Sequence, residues 1–296
     1  MAKIAFLGTG VMGAAMAGRL IAAGETLRVY NRTVEKTRPL VEAGATLANT
    51  PRDAAEGADV VIAMVGDDIA SDKVWLGPDG ALAATMATDA IAIECSTLSR
   101  DWVLALARTC ADRGLTYIDC PLTGYPHMAA AGELTLFVGA DAGDLTRARP
   151  ILERLSVEII HFGGIGAGTA YKLMVNLMGS VQIAAAAEGL LTAEAAGLDL
   201  EQVAYALSKG AAASPQVIRN SQRMVAANHD ENITFSGAWR LKDTLYGLKL
   251  AENVGQDARF GKVAGEIYRQ LVDDGFGDLN ETKVIDVLRT RRRSGG

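Results

Sequence analysis

Lys172 and Asn176 form the pair whose residue types and spacing best suit acid–base chemistry in this chain. They are four residues apart near the start of a long helical pattern, so both side chains project from one face of the helix. An ammonium beside a reacting carbonyl donates a proton and stabilises the developing alkoxide, and an amide on the same face orients the reacting group. The alternative is an ordinary exposed lysine at a helix start, with Asn176 as a bystander.

The turn at residues 8–13 has the spacing of a phosphate-binding loop. Its glycines are arranged as GxGxxG between a predicted strand and a predicted helix, a context that makes the motif a strong signal. Gly8 makes the tight turn, Gly10 lets the backbone approach a pyrophosphate, and Gly13 lets helix and strand pack closely. Free N–H groups at the helix start then bind the phosphate charge. The expected cofactor contacts in this turn are Gly8, Gly10, Val11, Met12 and Gly13. A glycine-rich turn without a ligand is the alternative.

The end of the second predicted strand indicates which dinucleotide binds. NAD enzymes usually carry an acidic residue there, which accepts hydrogen bonds from the ribose 2′-hydroxyl. This chain has Asn31, Arg32 and Thr33 instead. A guanidinium pairs with a 2′-phosphate, whereas a carboxylate would repel it. We therefore expect NADP to be preferred over NAD, with these three residues contacting it, unless Arg32 is only a solvated loop charge.

Two more segments follow predicted strands, where ligands bind in parallel sheets. Ser96 and Thr97 offer two hydroxyls after one strand. Thr123 and Gly124 follow the next strand and present backbone N–H groups and a hydroxyl, which suit a carboxylate. We expect a small carboxylate substrate to be bound here.

Composition indicates a globular enzyme of about two domains. The chain has 296 residues, of which 49% are hydrophobic and 22% charged, with a net charge of -6, so no basic field favours nucleic acid. The single basic cluster, at 289–293, is expected to be a solvated tail. Three cysteines without disulfide or metal-ligand spacing are expected to be reduced and buried in a cytoplasmic protein that holds no metal. The chain enters a strand directly after its first residues, so no signal peptide is expected.

The elements that position these residues form two different patterns. Up to about residue 162, short apolar runs alternate with helical patterns, which predicts a mostly parallel sheet with helices on both faces. The predicted strands are 3–7, 27–30, 59–65, 90–95, 115–119, 134–139 and 157–161, and the pattern leaves an antiparallel orientation open for the later ones. The predicted helices of this part are 11–23, 34–43, 52–56, 68–74, 79–85, 99–113 and 141–154. The fold class is therefore α/β, with a Rossmann doubly wound sheet as an N-terminal domain at 1–163.

The remainder, 164–296, is predicted to be an all-helical substrate and dimerisation domain, joined to the first domain by a long helix at 170–196. Further helices are predicted at 199–209, 214–227, 238–254, 259–273 and 281–289. A helix of that length exceeds what so small a domain buries, so we expect it to pack against another subunit in a homodimer or homotetramer. Polar residues interrupt its apolar stretch, which is expected to exclude a membrane span. They are Asn176, Gln182, Glu188 and Glu194.

Five motifs in order resemble the β-hydroxyacid dehydrogenases, over a stretch from residue 3 to at least 250. They are the glycine turn, Ser96-Thr97, Asp119-x-Pro121-x-Thr123-Gly124, Gly166-x-Gly168-x-x-x-Lys172-x-x-x-Asn176 and Lys242-Asp243. The resemblance implies reversible hydride transfer between NAD(P) and a short β-hydroxyacid or its aldehyde or ketone. It implies that Lys172 is the general acid/base and that Asn176 positions the substrate.

The same resemblance implies roles for the other motif residues. Thr123 and Gly124 would bind the substrate carboxylate, and Ser96 or Thr97 would lie near the nicotinamide. Lys242 would close the site from the helical domain. Ser96 is expected to contact substrate. Outside the glycine turn and residues 31–33, the expected contacts with the cofactor are Val65, Thr97 and Lys242.

One departure concerns substrate choice. The family's loop commonly reads Ser-Gly-Gly, whereas Tyr125 follows Gly124 here and replaces a permissive residue with a bulky ring. Tyr125 and Trp239 are therefore expected substrate contacts. Together with His127 and Phe235 they either shape a pocket for a larger or less polar molecule or pack as ordinary side chains.

Two other functions remain open. An imine reductase resembles this family in fold and cofactor site, but such enzymes usually replace the lysine found at position 172. A non-catalytic NADP-binding regulatory protein needs the glycine turn but not the lysine–asparagine pair. The presence of both features favours the dehydrogenase.

Overall fold

The computed structural model describes the backbone of residues 2–294 and the side chains of residues 2–290. The chain divides into two compact units, Met1–Lys172 and Leu173–Gly296. The division lies within a helix, a few residues after the domain boundary that the sequence predicts.

The first unit is built on one nine-stranded sheet. Its strands are β1 (Lys3–Leu7), β2 (Thr26–Tyr30), β3 (Thr46–Leu47), β4 (Val60–Ala63), β5 (Ile91–Glu94), β6 (Thr116–Asp119), β7 (Leu122–Thr123), β8 (Leu134–Gly139) and β9 (Ser156–Gly163). Strands β3-β2-β1-β4-β5-β6 are neighbours in that order, and all their pairings are parallel, which is the Rossmann order. Strand β8 is antiparallel to β6 and β7 and parallel to β9. The predicted fold class is confirmed.

Helices cover both faces of this sheet, because alternate residues of a strand point to opposite sides. Ile4 and Phe6 of β1 belong to one apolar core, and Ala5 and Leu7 to the other. The helices are α1 (Val11–Ala22), α2 (Arg38–Glu42), α3 (Pro51–Ala55), α4 (Asp68–Trp75), α5 (Arg100–Ala111), α6 (Pro126–Ala131) and α7 (Ala142–Leu155). The parallel strands end in loops at one edge of the sheet, where the candidate residues follow β1, β2, β4, β5 and β6.

The elements that differ from prediction are short or interrupted. Strands β3 and β7 have two residues each and α6 has six, too few for a recognisable period. The helix predicted over 34–43 is a 3-10 turn followed by α2, because Pro39 has no N–H for a continuous helix. The helix predicted over 79–85 is a 3-10 turn at Ala81–Ala83.

The second unit is helical. Its helices are α8 (Ala167–Ala195), which begins in the first unit, α9 (Leu200–Leu207), α10 (Pro215–Val225), α11 (Gly237–Asn253), α12 (Arg259–Leu271) and α13 (Val284–Ser294). Their core contains Ile183 and Leu190 of α8, and Tyr268 of α12. The expectation of a solvated basic tail is wrong for Arg289, which lies on α13 and pairs with Glu194. The side chains of 291–293, to which the same expectation applies, lie outside the described residues.

Helix α8 is long and apolar enough to cross a membrane by length and composition alone. Its polar interruptions therefore do not exclude a span, contrary to expectation. The packing of the helix is that of a globular core: Ser180 hydrogen-bonds Thr244 at 2.7 Å, and Ile183 is fully buried against other helices.

Candidate functional site

The glycine turn after β1 is held by contacts that exclude larger residues. Gly8 has a φ of +96°, and its N–H donates to the Tyr30 carbonyl at 2.8 Å. A Cβ on Gly8 would lie 2.4 Å from the Met64 carbonyl oxygen, and one on Gly13 would lie 2.0 Å from the Gly8 carbonyl oxygen. The turn thus depends on glycine at both positions.

The start of α1 fits a phosphate group. Gly10 is its N-cap and supplies no side-chain acceptor, and the first turn contains no acidic residue. Apart from its chain neighbours, no described atom lies within 4 Å of where a Cβ on Gly10 would stand, so the space over the helix start is open. Donors at a helix start without a capping side chain favour an anion. This is the arrangement that a dinucleotide's pyrophosphate requires.

Asn31 ties this turn to the end of β2. Its Oδ1 accepts the Thr9 N–H at 2.9 Å, and its Nδ2 donates to the Thr33 carbonyl at 2.8 Å. Asn31 therefore shapes the loop through both ends of its amide. Arg32 and Thr33 are exposed beside it, so the guanidinium is accessible to an anionic group.

Ser96 and Val65 are joined at the ends of β5 and β4. The buried Ser96 hydroxyl accepts the Val65 N–H at 2.8 Å, and the Ser96 side chain also hydrogen-bonds the carboxylate of Glu94. The Ser96 N–H donates to the carboxylate of Glu94 at 3.0 Å. Ser71 and Trp75 donate to the same carboxylate at 2.9 and 2.8 Å. Burial raises the pKa of Glu94, and these hydrogen bonds oppose the rise.

The loop after β6 contains the predicted carboxylate-binding residues. Thr123 is exposed, and Gly124 has a φ of +140°, which favours glycine. Tyr125 has a φ of −113°, an extended conformation that any residue adopts, so this position does not need the conformational freedom of a glycine. Its ring is 36% exposed and stacks on His127 with 5.7 Å between ring centroids. The two rings form an exposed aromatic pair beside Gly124.

Asp119 has a role that sequence reasoning missed. Its buried carboxylate accepts the N–H groups of Gly166 and Thr169, at 2.6 and 2.7 Å, and thereby caps the start of α8. The partners are 47 and 50 residues away, so no local pattern could identify them. Lys172 lies one turn further along the same helix and is half-buried.

In the second unit, Asp243 brings together Asn176 and Lys242. Asn176 Nδ2 donates to Asp243 Oδ2 at 2.6 Å, and Lys242 Nζ lies 3.1 Å from Asp243 Oδ1. The same ammonium lies 5.2 Å from the ring centroid of Trp239 and 5.3 Å from that of Tyr246. Trp239 is half-exposed, whereas the Phe235 ring lies against the buried guanidinium of Arg240. The Lys242-Asp243 motif was recognised in the sequence, but the contact of Asp243 with Asn176 was not.

Family models match both parts of the chain. The NAD binding domain of 6-phosphogluconate dehydrogenase matches residues 3–164. The model described as NAD-binding of NADP-dependent 3-hydroxyisobutyrate dehydrogenase matches residues 166–288. Together they span the glycine turn, the loops after β4, β5 and β6, and the helix that bears Lys172 and Asn176.

Individual relatives match along nearly their whole length. The NAD-dependent L-serine dehydrogenase of Pseudomonas aeruginosa is 33% identical, over 94% of this chain and 95% of its own. The 3-sulfolactaldehyde reductase of Escherichia coli is 31% identical, over 98% and 96% respectively. A solved structure of Mycobacterium tuberculosis 3-hydroxyisobutyrate dehydrogenase with L-serine has a TM-score of 0.87 and 29% identity, over 98% of this chain and 99% of that one.

Proposed function

This chain belongs to the β-hydroxyacid dehydrogenases, NAD(P)-dependent oxidoreductases that act on CH–OH groups, and we propose that it interconverts a small β-hydroxyacid and its semialdehyde or keto form with NADP. The proposal depends chiefly on α8, which carries Lys172 and Asn176 four residues apart. Asp243 holds the Asn176 amide in one orientation. A proton donor with an oriented amide on the same helix face is what carbonyl reduction requires.

Lys172 is the general acid/base of this proposal. The nicotinamide, when bound, supplies or accepts the hydride. Lys172 Nζ donates a proton to the substrate oxygen during reduction and removes it during oxidation, while the Asn176 amide orients that oxygen. The backbone N–H groups and hydroxyl around Thr123 and Gly124 bind the substrate carboxylate, and Ser96 is a further proposed substrate contact. Trp239 and Tyr125 add apolar contacts beside it.

NADP is the proposed cofactor. The open helix start at Gly10 suits its pyrophosphate, and the exposed Arg32 suits its 2′-phosphate. One relative has NAD in its name and one matched model has NADP, so the residues at 31–33 carry the argument. Val65, Thr97 and Lys242 complete the proposed set of cofactor contacts.

We also propose a cytoplasmic location, since all three cysteines are free and buried, as in a reducing compartment. We further propose that the first unit binds the cofactor, and that the second contributes substrate contacts and associates with a second subunit.

A panel of cofactors and substrates tests the function. NADPH or NADH is mixed with tartronate semialdehyde, succinic semialdehyde, 3-sulfolactaldehyde or a cyclic imine, and L-serine is tested in the oxidative direction with NADP and NAD. We expect turnover of one or more carbonyl acids, faster with NADPH. Turnover of cyclic imines alone would contradict the proposal, and so would tight NADPH binding without turnover of any compound.

The second unit carries a surface that suits association with a second copy of the chain. A groove of about 520 Å³ lies among α8, α11 and α12. Several of its apolar side chains are exposed: Met174 by 47%, Met178 by 50%, Val254 by 64% and Phe260 by 79%. On α8, Met174 and Met178 are two positions from Lys172 and Asn176, or about 200° around the helix, so pairing there leaves the proposed catalytic face uncovered.

The size and shape of this surface favour self-association. At about 150–250 Å² for a large side chain, the four residues expose roughly 360–600 Å². That range includes the apolar share of a standard interface, roughly 450 Å² of the about 800 Å² buried per partner. Phe260 lines the groove and is largely exposed, so we propose that two copies related by a twofold axis each insert this ring into the other's groove. Asp257, paired with Arg259 and Lys262 at 2.7 and 2.8 Å, provides a polar rim.

A further inference from the structure

Asp119 joins the proposed carboxylate-binding loop to the helix that bears Lys172. It is the last residue of β6, four residues before Thr123, and its side chain is 0% exposed. Its Oδ1 accepts the Gly166 N–H at 2.6 Å. Its Oδ2 accepts both the N–H and the hydroxyl of Thr169, at 2.7 and 2.9 Å. Both oxygens of the Asp119 carboxylate therefore accept hydrogen bonds from the residues that begin α8.

The surrounding packing determines where this carboxylate stands. A Cβ on Gly139, at the end of β8, would lie 2.3 Å from Asp119 Oδ1 and 2.9 Å from the Ala167 nitrogen. A Cβ on Gly168 would lie 2.3 Å from the Phe137 carbonyl oxygen. The first turn of α8 therefore packs directly on the β8 backbone, with Asp119 against both.

The electrostatics make this carboxylate and the helix depend on each other. Burial raises the pKa of Asp119, and the hydrogen bonds from Gly166 and Thr169 oppose that rise. In return, a negative charge satisfies helix-start N–H groups and interacts favourably with the helix dipole. Loss of either partner therefore weakens the attachment of the α8 start to β6.

We propose that Asp119 is a positioning residue that sets Lys172, one turn after Thr169, relative to the loop that binds the substrate carboxylate. The inference rests on the proposed role of Lys172 as general acid/base. Displacement of a reacting group by about 1 Å can cost on the order of 10²-fold in rate. A looser attachment of the α8 start to β6 would therefore slow proton transfer by Lys172.

Variants at both partners test this role. In Asp119→Asn, one amide oxygen replaces two acceptors and the NH₂ group faces N–H donors. Thr169→Val removes the hydroxyl donor alone, and Thr169→Ser restores it. We expect kcat to fall about 10- to 100-fold in Asp119→Asn and about 3- to 10-fold in Thr169→Val, with Thr169→Ser within about twofold of the parent. The Kd for NADPH is expected to stay within about twofold, and the solvent deuterium isotope effect on kcat to increase as proton transfer becomes more rate-limiting.

Asp199→Asn is the matched control. Asp199 caps α9 by accepting the Gln202 N–H at 2.8 Å, and α9 carries no residue of the proposed site. We expect a loss of thermal stability with no change in kcat or isotope effect.

The inference is overturned if Asp119→Asn and Thr169→Val melt earlier but keep the parental kcat and isotope effect, since Asp119 would then be a helix cap only. If Asp119→Asn does not fold, the Thr169→Val and Thr169→Ser pair decides by the same criteria. Lys172→Ala is measured in parallel: if it remains active, the proposed function of Lys172 fails. If Lys172→Ala is inactive while the Thr169 variants behave like the parent, the positioning role alone fails.

Discussion

The side chain of Asn176 donates a hydrogen bond of 2.6 Å to the carboxylate of Asp243. Because a carboxylate only accepts hydrogen bonds, the amide must turn its NH₂ group toward Asp243 and its oxygen elsewhere. The other carboxylate oxygen lies 3.1 Å from Lys242 Nζ. One buried acidic side chain thus orients an amide and holds an ammonium, both of which belong to the proposed site.

Replacing Asp243 is expected to lower catalysis without unfolding the protein. Asp243→Asn removes the charge that holds Lys242 and allows the Asn176 amide to rotate, so kcat/KM with the best substrate should fall roughly 10- to 100-fold, the scale of one charged hydrogen bond. Steady-state kinetics and a melting curve measure this. Asp144→Asn, which breaks the partly exposed pair with Arg147, should stay within about twofold. Equal kinetics for the two variants would contradict the role of Asp243.

Lys172→Ala is expected to lower kcat by about 10²- to 10⁴-fold, the usual contribution of a positioned proton donor. NADPH binding, followed by fluorescence titration, should change little because the glycine turn is intact. Lys209→Ala is the control. Lys209 lies over the Tyr205 ring, and neither residue belongs to the proposed site, so this variant should retain activity. Full activity in Lys172→Ala would make Lys172 a bystander.

Arg32→Ala is expected to weaken NADPH binding about 10- to 100-fold and NADH binding by less than about twofold, since only NADPH carries the phosphate that the guanidinium would pair with. Kd values for both cofactors are measured on the same preparation. Arg149→Ala removes a guanidinium whose partner is Glu153 and should change neither value. Equal weakening of both cofactors by Arg32→Ala would count against a 2′-phosphate contact.

Phe260→Glu is expected to convert the proposed oligomer into a smaller species, because each interface would bury a carboxylate in the partner's apolar groove. Size-exclusion chromatography with light scattering gives the mass at several concentrations. Val157→Glu places the same charge at a largely exposed valine of β9 in the first unit and should leave the mass unchanged. An unchanged mass for Phe260→Glu would exclude this groove as the interface.

His229 is expected to make the stability of the protein depend on pH. Burial lowers its pKa from 6.5, and Asp286 opposes that shift only in part. Its Nδ1 lies 3.0 Å from the Thr282 hydroxyl. The imidazole takes up a proton at a higher pH in the unfolded chain than in the folded one. The contribution of neutral His229 to the free energy of unfolding is therefore present above pH 6.5 and is lost as pH falls through the lowered pKa.

The free energy of unfolding should therefore fall between pH 7.5 and 5.5 by up to about 1.4 kcal/mol for each unit of the shift. His229→Gln should lose less over this interval, whereas His127→Gln, which removes an exposed imidazole, should follow the parent. Parallel curves for the parent and His229→Gln would contradict the prediction.

The sequence determined the features that depend on local periods and on the ends of elements. The alternation of strands and helices predicts the fold class, which is confirmed, because each period is set by the backbone geometry of its own segment. The spacing of Gly8, Gly10 and Gly13 likewise identifies the turn after β1, since its three requirements lie within six residues. The roles of Lys172, Asn176 and Arg32 stay predictions.

Only the tertiary structure decided which distant side chains meet. Asp119 reaches Gly166 across 47 residues, and Asn176 reaches Asp243 across 67. Such pairs depend on how strands register and helices pack, and no pattern within one segment encodes that. The backbone of Tyr125 is a further case: the sequence shows that a permissive residue is replaced, and only the structure shows an extended φ that a tyrosine adopts as readily as a glycine.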